Sequence, residues 1–135
     1  MTKTAKRSRA RRKKFIYIGA PKCFQLELAC QHIAAAFGGF RCYVVGSVLE
    51  RPDWRDVDVR FIMDDADFAT LFPNAGTDWE SDPRWLLMTV SISKWLSEQS
   101  GLPVDFQFQP MTHANERHSG PRNGVGRRVV GSGGC

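Results

Sequence analysis

Hydrophobic and polar residues alternate along this 135-residue chain with two periods, and the switches between them mark out its elements. Leu26, Ala29/Cys30, Ile33 and Phe37 recur at helical spacing and predict one apolar helix face over about 23–37, closed by Gly38-Gly39. The β-branched and aromatic run 41–45 predicts a strand that stops at Gly46-Ser47. A loop with Pro52, Asp53 and Trp54 follows, and then strict alternation returns. Val57, Val59, Phe61 and Met63 share one face of a second strand, with Asp56, Asp58, Arg60 and Ile62 on the other. Residues 66–72 predict a short helix ended by Pro73. Asp82-Pro83 has the chemistry of an N-cap and first helical position, ahead of a stripe of Trp85, Met88, Ile92 and Trp95/Leu96 that Gly101 ends. Residues 104–109 predict a last strand, with Val104, Phe106 and Phe108 inward and Asp105, Gln107 and Gln109 on the opposite face. The predicted order α-β-β-α-α-β describes an α/β fold with helices on one side of a small sheet.

Charge divides the chain in the same way. The net charge is +5, but residues 1–14 hold eight basic side chains and no acid, residues 111–135 carry +3, and residues 15–110 carry −6. The first segment has no large apolar residue beyond Met1, so it cannot bury enough surface to offset the entropy of ordering. We therefore expect a disordered basic arm over 1–14, one domain over 15–110 and a Gly/Arg-rich extension over 111–135, ending in flexible Gly-Ser-Gly-Gly-Cys. No run approaches the ~18 apolar residues of a membrane span, and residues 15–20 are too short for a signal-peptide core. The expectation is a soluble, cytoplasmic protein with no membrane partner. Its four cysteines form no CxxC pair and read as reduced thiols, and Cys30-x-His32 with Cys23 and Cys42 lacks the paired spacing of a zinc site.

The chemistry concentrates where the strands end. Asp56 and Asp58, at i and i+2 on a strand, point the same way with Cα atoms roughly 6.5–7 Å apart, a spacing that suits hard divalent cations. Gly46-Ser47 closes the preceding strand: glycine lets backbone approach an anion, and the Ser hydroxyl with nearby N–H groups suits phosphate oxygens, most readily if a short helix opens at 48–51. Asp105 is the only acid of the last strand and falls on the same alternation face as Gln107, so a neighbouring strand position would bring it to the same site. Read singly, each of these is an ordinary exposed polar residue. The three together are much less common.

Val44-Val45-Gly46-Ser47, then Asp56-Val57-Asp58-Val59, then Val104-Asp105-Phe106 resembles the motif set of the nucleotidyltransferase superfamily related to DNA polymerase β, over about residues 23–110. The likeness is greatest to its minimal single-domain members. The resemblance implies a small mixed sheet of about three to four strands, and a metal-dependent enzyme that moves a nucleoside monophosphate from a nucleoside triphosphate to an acceptor hydroxyl, with release of pyrophosphate. It also implies two Mg²⁺ or Mn²⁺ ions held by Asp56, Asp58 and Asp105 as the catalytic carboxylates, and a triphosphate bound by Gly46 and Ser47. Arg51, Arg55 and Arg60 are nearby candidates to neutralise phosphates. The eight residues between Ser47 and Asp56 are few for the family, and the expectation is that no second domain clamps an acceptor. The acceptor is open between a nucleic acid, a protein and a small molecule.

The basic arm supports a competing class, a non-catalytic nucleic-acid-binding protein built on a degenerate form of the same fold, with salt-dependent affinity. Trp54 suits base stacking or a cover for the core edge. Asn115, Arg117, Arg122 and Asn123 are candidates to fold over the cleft. The three histidines suggest no catalytic triad.

Overall fold

The computed structural model describes residues 16–118, 120 and 122–125. The arm predicted over 1–14 and the glycine-rich end beyond Val125 lie outside the described residues. Helix α1 spans Lys22–Ala36 and buries Cys23, Leu26, Ala29, Cys30 and Ile33, the face its periodicity predicts. It ends where Gly39 turns back with φ +81° and donates its N–H to Ala34 O at 2.7 Å. Strand β1 (Arg41–Val45), a short 3₁₀ turn (Ser47–Leu49), β2 (Val57–Met63) and α2 (Asp65–Leu71) follow in order. A second 3₁₀ turn (Trp79–Ser81) precedes α3 (Pro83–Ser100). The Asp82 side chain caps α3 by accepting from Trp85 N at 3.0 Å, and Gly101 stops it at φ +71°.

Strand β3 spans Val104–Pro110. Two further elements lie in the stretch that the sequence pattern leaves as an extension: α4 (Met111–Arg117) and β4 (Asn123–Val125). The four strands form one mixed sheet in the order β3-β2-β1-β4. β1 runs antiparallel to β2 and β4, whereas β2 and β3 are parallel.

Alternation gives this sheet one apolar face. Cys42 and Val44 of β1, Val57, Val59, Phe61 and Met63 of β2, Val104, Phe106 and Phe108 of β3 and Val125 of β4 are all buried in a single core with α1 and α3. Phe37, Phe61, Phe72, Phe106 and Phe108 meet there edge to face, with centroids 5.0–6.2 Å apart. Each such ring contributes roughly 1.5–3 kcal/mol by leaving water. Cys30 and Cys42 are free thiols in this core, and a hydrogen bond to Cys30 followed by burial pushes the Cys42 thiol well above its ordinary range. Cys23 is instead disulfide-bonded, which corrects the reading of all four cysteines as reduced.

β3 sits at the sheet edge, where its outward N–H and C=O groups need partners other than a strand. Helix α3 supplies them. Ser93 Oγ accepts from Phe106 N at 2.9 Å and donates to Phe106 O at 3.2 Å, Ser97 Oγ accepts from Val104 N at 3.0 Å, and Trp85 Nε1 donates to Phe108 O at 3.0 Å. These bonds hold β3, and with it Asp105, in register against β2.

Candidate functional site

The strand register converts three separate motifs into one locus. Val45, the last residue of β1, lies opposite Asp58, and Asp58 lies opposite Asp105 on the other side. Both aspartates point to the face away from the core, at the end of the sheet where β1 stops. Gly46 follows at once, with φ +85° and ψ −158°, a conformation that side chains disfavour. A Cβ added there would lie 2.7 Å from Asp58 Oδ2. The glycine and the aspartate are therefore one device: the missing side chain is what leaves room for the carboxylate.

In place of a short helix over 48–51 there is a single 3₁₀ turn at Ser47–Leu49, closed by Leu49 N to Gly46 O at 3.1 Å and Glu50 N to Ser47 O at 2.9 Å. Beyond it an open cleft of about 530 Å³ is lined by Ser47, Arg51, Asp53, Arg55, Asp56 and Asp58. Five residues chosen from sequence, Ser47, Arg51, Arg55, Asp56 and Asp58, thus meet in one cleft, and Gly46 lies against the Asp58 carboxylate without lining it. Asp53, which the sequence reading treats only as a loop residue, is the addition. It pairs with Arg51 at 3.3 Å, and both side chains are largely exposed. Asp105 is not among the lining residues. It joins the site through Arg60.

Arg60 follows Asp58 by two residues on the same strand face and is only 8% exposed. Its Nη1 donates to Asp105 O at 2.7 Å and to Val59 O at 3.1 Å, while Nη2 lies 3.3 Å from Asp105 Oδ2 and 3.9 Å from Asp58 Oδ1. The guanidinium therefore partners the two carboxylates from within the protein, and unlike Arg51 and Arg55 it does not line the cleft. Half-burial pushes the Asp58 carboxyl above its ordinary 3.8, with Asp105 and Asp56 adding to the rise and Arg60 opposing it.

The donor set suits a hard cation in part: Asp56 and Asp58 offer carboxylate oxygens to one cleft. Among the described residues, however, no three His, Cys, Asp or Glu side chains converge closely enough to enclose a metal.

The other candidates lie elsewhere. Trp54 donates Nε1 to Tyr17 O at 2.7 Å and packs against the core, so it covers the core edge. Asn123 is buried in β4 opposite Val44, and Arg122 donates to Asn115 Oδ1 at 2.9 Å; neither lines the cleft. His113 meets Trp79 edge to face, and His118 Nε2 lies 3.1 Å from Gln109 Oε1. Burial first, then Arg60, Arg122, His113 and Arg117, hold the His118 pKa below its usual value. No family model, curated protein or solved structure matches the chain. The site's own geometry therefore carries the functional argument. No helix among the described residues is long and apolar enough to cross a membrane.

Proposed function

We propose that this chain is a metal-dependent nucleotidyltransferase that moves a nucleoside monophosphate from a nucleoside triphosphate to an acceptor hydroxyl on a nucleic acid or a protein. One observation carries the reading: the end of β1, Asp58 and Asp105 stand side by side in register, with Gly46 moulded to the Asp58 carboxylate beside a cleft of mixed charge. Two carboxylates on adjacent parallel strands next to a Gly-Ser turn and two arginines match what phosphoryl transfer needs: cation donors, phosphate donors and an acceptor for a proton.

Arg51 and Arg55 line the cleft and would bind phosphate oxygens, and the Ser47 hydroxyl would add a donor at the turn. Asp56 and Asp58 would hold a divalent cation, which when bound stabilises negative charge on the phosphoryl oxygens and the leaving pyrophosphate. The acceptor oxygen attacks the α-phosphorus, the bond to the bridging oxygen breaks, and pyrophosphate departs with that oxygen. Asp105 is half-exposed and accepts the proton that the hydroxyl loses.

The test is transfer of α-label from each of the four nucleoside triphosphates, with Mg²⁺ or Mn²⁺, to RNA, protein and small-molecule acceptors. We expect label on one acceptor class, and its loss by at least about 10²-fold in Asp56→Asn and Asp58→Asn. Label on no acceptor would overturn the reading.

A second reading, a non-catalytic nucleic-acid-binding protein, draws on a different observation. Arg41 and Arg122 lie over the Tyr43 ring at 5.7 and 5.2 Å on the polar face of the sheet, a cationic and aromatic surface suited to phosphates and bases. Under it, RNA binding is salt-dependent, is weakened by Tyr43→Ala and survives Asp58→Asn.

A further inference from the structure

Arg60 is the one arginine of the site that the solvent barely reaches. Its side chain is 9% exposed, against 32% for Asp58 and 51% for Asp105, and it grips Asp105 by both the main-chain oxygen and the carboxylate. A guanidinium stays protonated at any working pH, and a buried one cannot swing away without leaving charge unpaired on both sides. A fixed positive charge therefore sits between the inner oxygens of Asp58 and Asp105. What remains open is asymmetric. Asp58 lines the cleft together with Asp56, with its Oδ2 against Gly46, whereas Asp105 has Oδ2 committed to Arg60 and stands outside the cleft lining.

We propose that Arg60 is a built-in cation that replaces one of the two metal ions expected for such a site, so that the chain binds a single divalent cation through Asp56 and Asp58. Asp105 is then no metal ligand. Arg60 is its positioning residue, orienting the carboxylate as a direct proton acceptor for the attacking hydroxyl. The inference rests on the nucleotidyltransferase reading and deepens it. Electrostatics explains the economy: a second dication against Asp105 would face the guanidinium at short range, where like charges in a partly desolvated site repel strongly.

Mn²⁺ alone is the probe, and electron paramagnetic resonance titration of the full chain counts bound ions without needing turnover. The expected result is one Mn²⁺ per chain. Asp58→Asn weakens that binding by at least about tenfold. Asp105→Asn leaves it within about threefold, because Asp105 acts only at a distance. Arg60→Gln admits a second Mn²⁺, which Arg60→Lys still excludes. Two ions on the wild-type chain, or equal losses in Asp58→Asn and Asp105→Asn, would overturn the assignment of Arg60 while leaving the nucleotidyltransferase reading intact. Mn²⁺ binding that is absent, or indifferent to both Asp56→Asn and Asp58→Asn, would remove that reading and this inference together. The wild-type count and the Asp105 variant decide the matter even if Arg60→Gln folds poorly.

Discussion

Gly46 and Asp58 show how much of a site one missing methyl group can hold. Gly46→Ala would place a Cβ 2.7 Å from Asp58 Oδ2 at a backbone conformation with φ +85°. We expect it to destabilise the fold by about 1–3 kcal/mol in urea unfolding, and to weaken Mn²⁺ binding because the carboxylate must move. Asp58 itself costs the fold stability when ionised. Its carboxyl is raised above 3.8 chiefly by burial, so the folded chain binds this proton more tightly than the unfolded one. Ionised Asp58 therefore costs the metal-free fold stability above its folded pKa, and the cost disappears as the pH falls from that value to about 3.8. Asp58→Asn should be more stable than the wild type near pH 7 without metal, with the gain shrinking on acidification. Equal stability at all pH values would show that Asp58 is unperturbed. The carboxylates were legible in the sequence because alternation alone puts Asp56, Asp58 and Arg60 on one strand face. The role of Arg60 was not, because its partner Asp105 lies 45 residues away and meets it only through the β2–β3 pairing.

At the scale of elements, helix α3 does two things that its apolar stripe does not announce. Trp85 and Leu96 bury as the stripe predicts, but Ser93 and Ser97 use their hydroxyls to satisfy the free edge of β3. Ser93→Ala removes the partner of both Phe106 N and Phe106 O, and we expect a loss of about 1–3 kcal/mol together with a greater tendency to associate through the bared edge, seen by urea unfolding and light scattering. Asp82→Ala, which removes only the cap, should cost about 1 kcal/mol and leave the molecule monodisperse or not just as the wild type is. Helix caps, glycine stops and strand alternation were readable because each is a local signal. α4 and β4 were not. β4 is three residues long in a glycine-rich stretch, too short for alternation to register, and it exists because β1 has an open edge to pair with.

On the scale of the whole molecule, the fold extends past the end of the last strand that its sequence pattern marks. A chain cut after Pro110 lacks Val125, buried in the core, and Ala114, buried on α4. We expect residues 15–110 to unfold at a lower temperature than residues 15–125, by circular dichroism melts, and equal melting would mean that β4 adds nothing. The pairing of β2 with β3 has its own consequence in time. These strands are parallel, so the chain must cross over through residues 64–103 before Asp105 can stand beside Asp58. Loop closure of that length must be accomplished before any contact rewards it, which makes such pairings slow. A nascent or partly folded chain can hold Gly46, Asp56 and Asp58 in an antiparallel hairpin and still lack Asp105 and the grip on Arg60. The cluster of Asp58, Arg60 and Asp105 is therefore completed late, with the closing of the last long-range strand pair, and a chain arrested short of that point has the Gly46–Asp58 contact without Asp105.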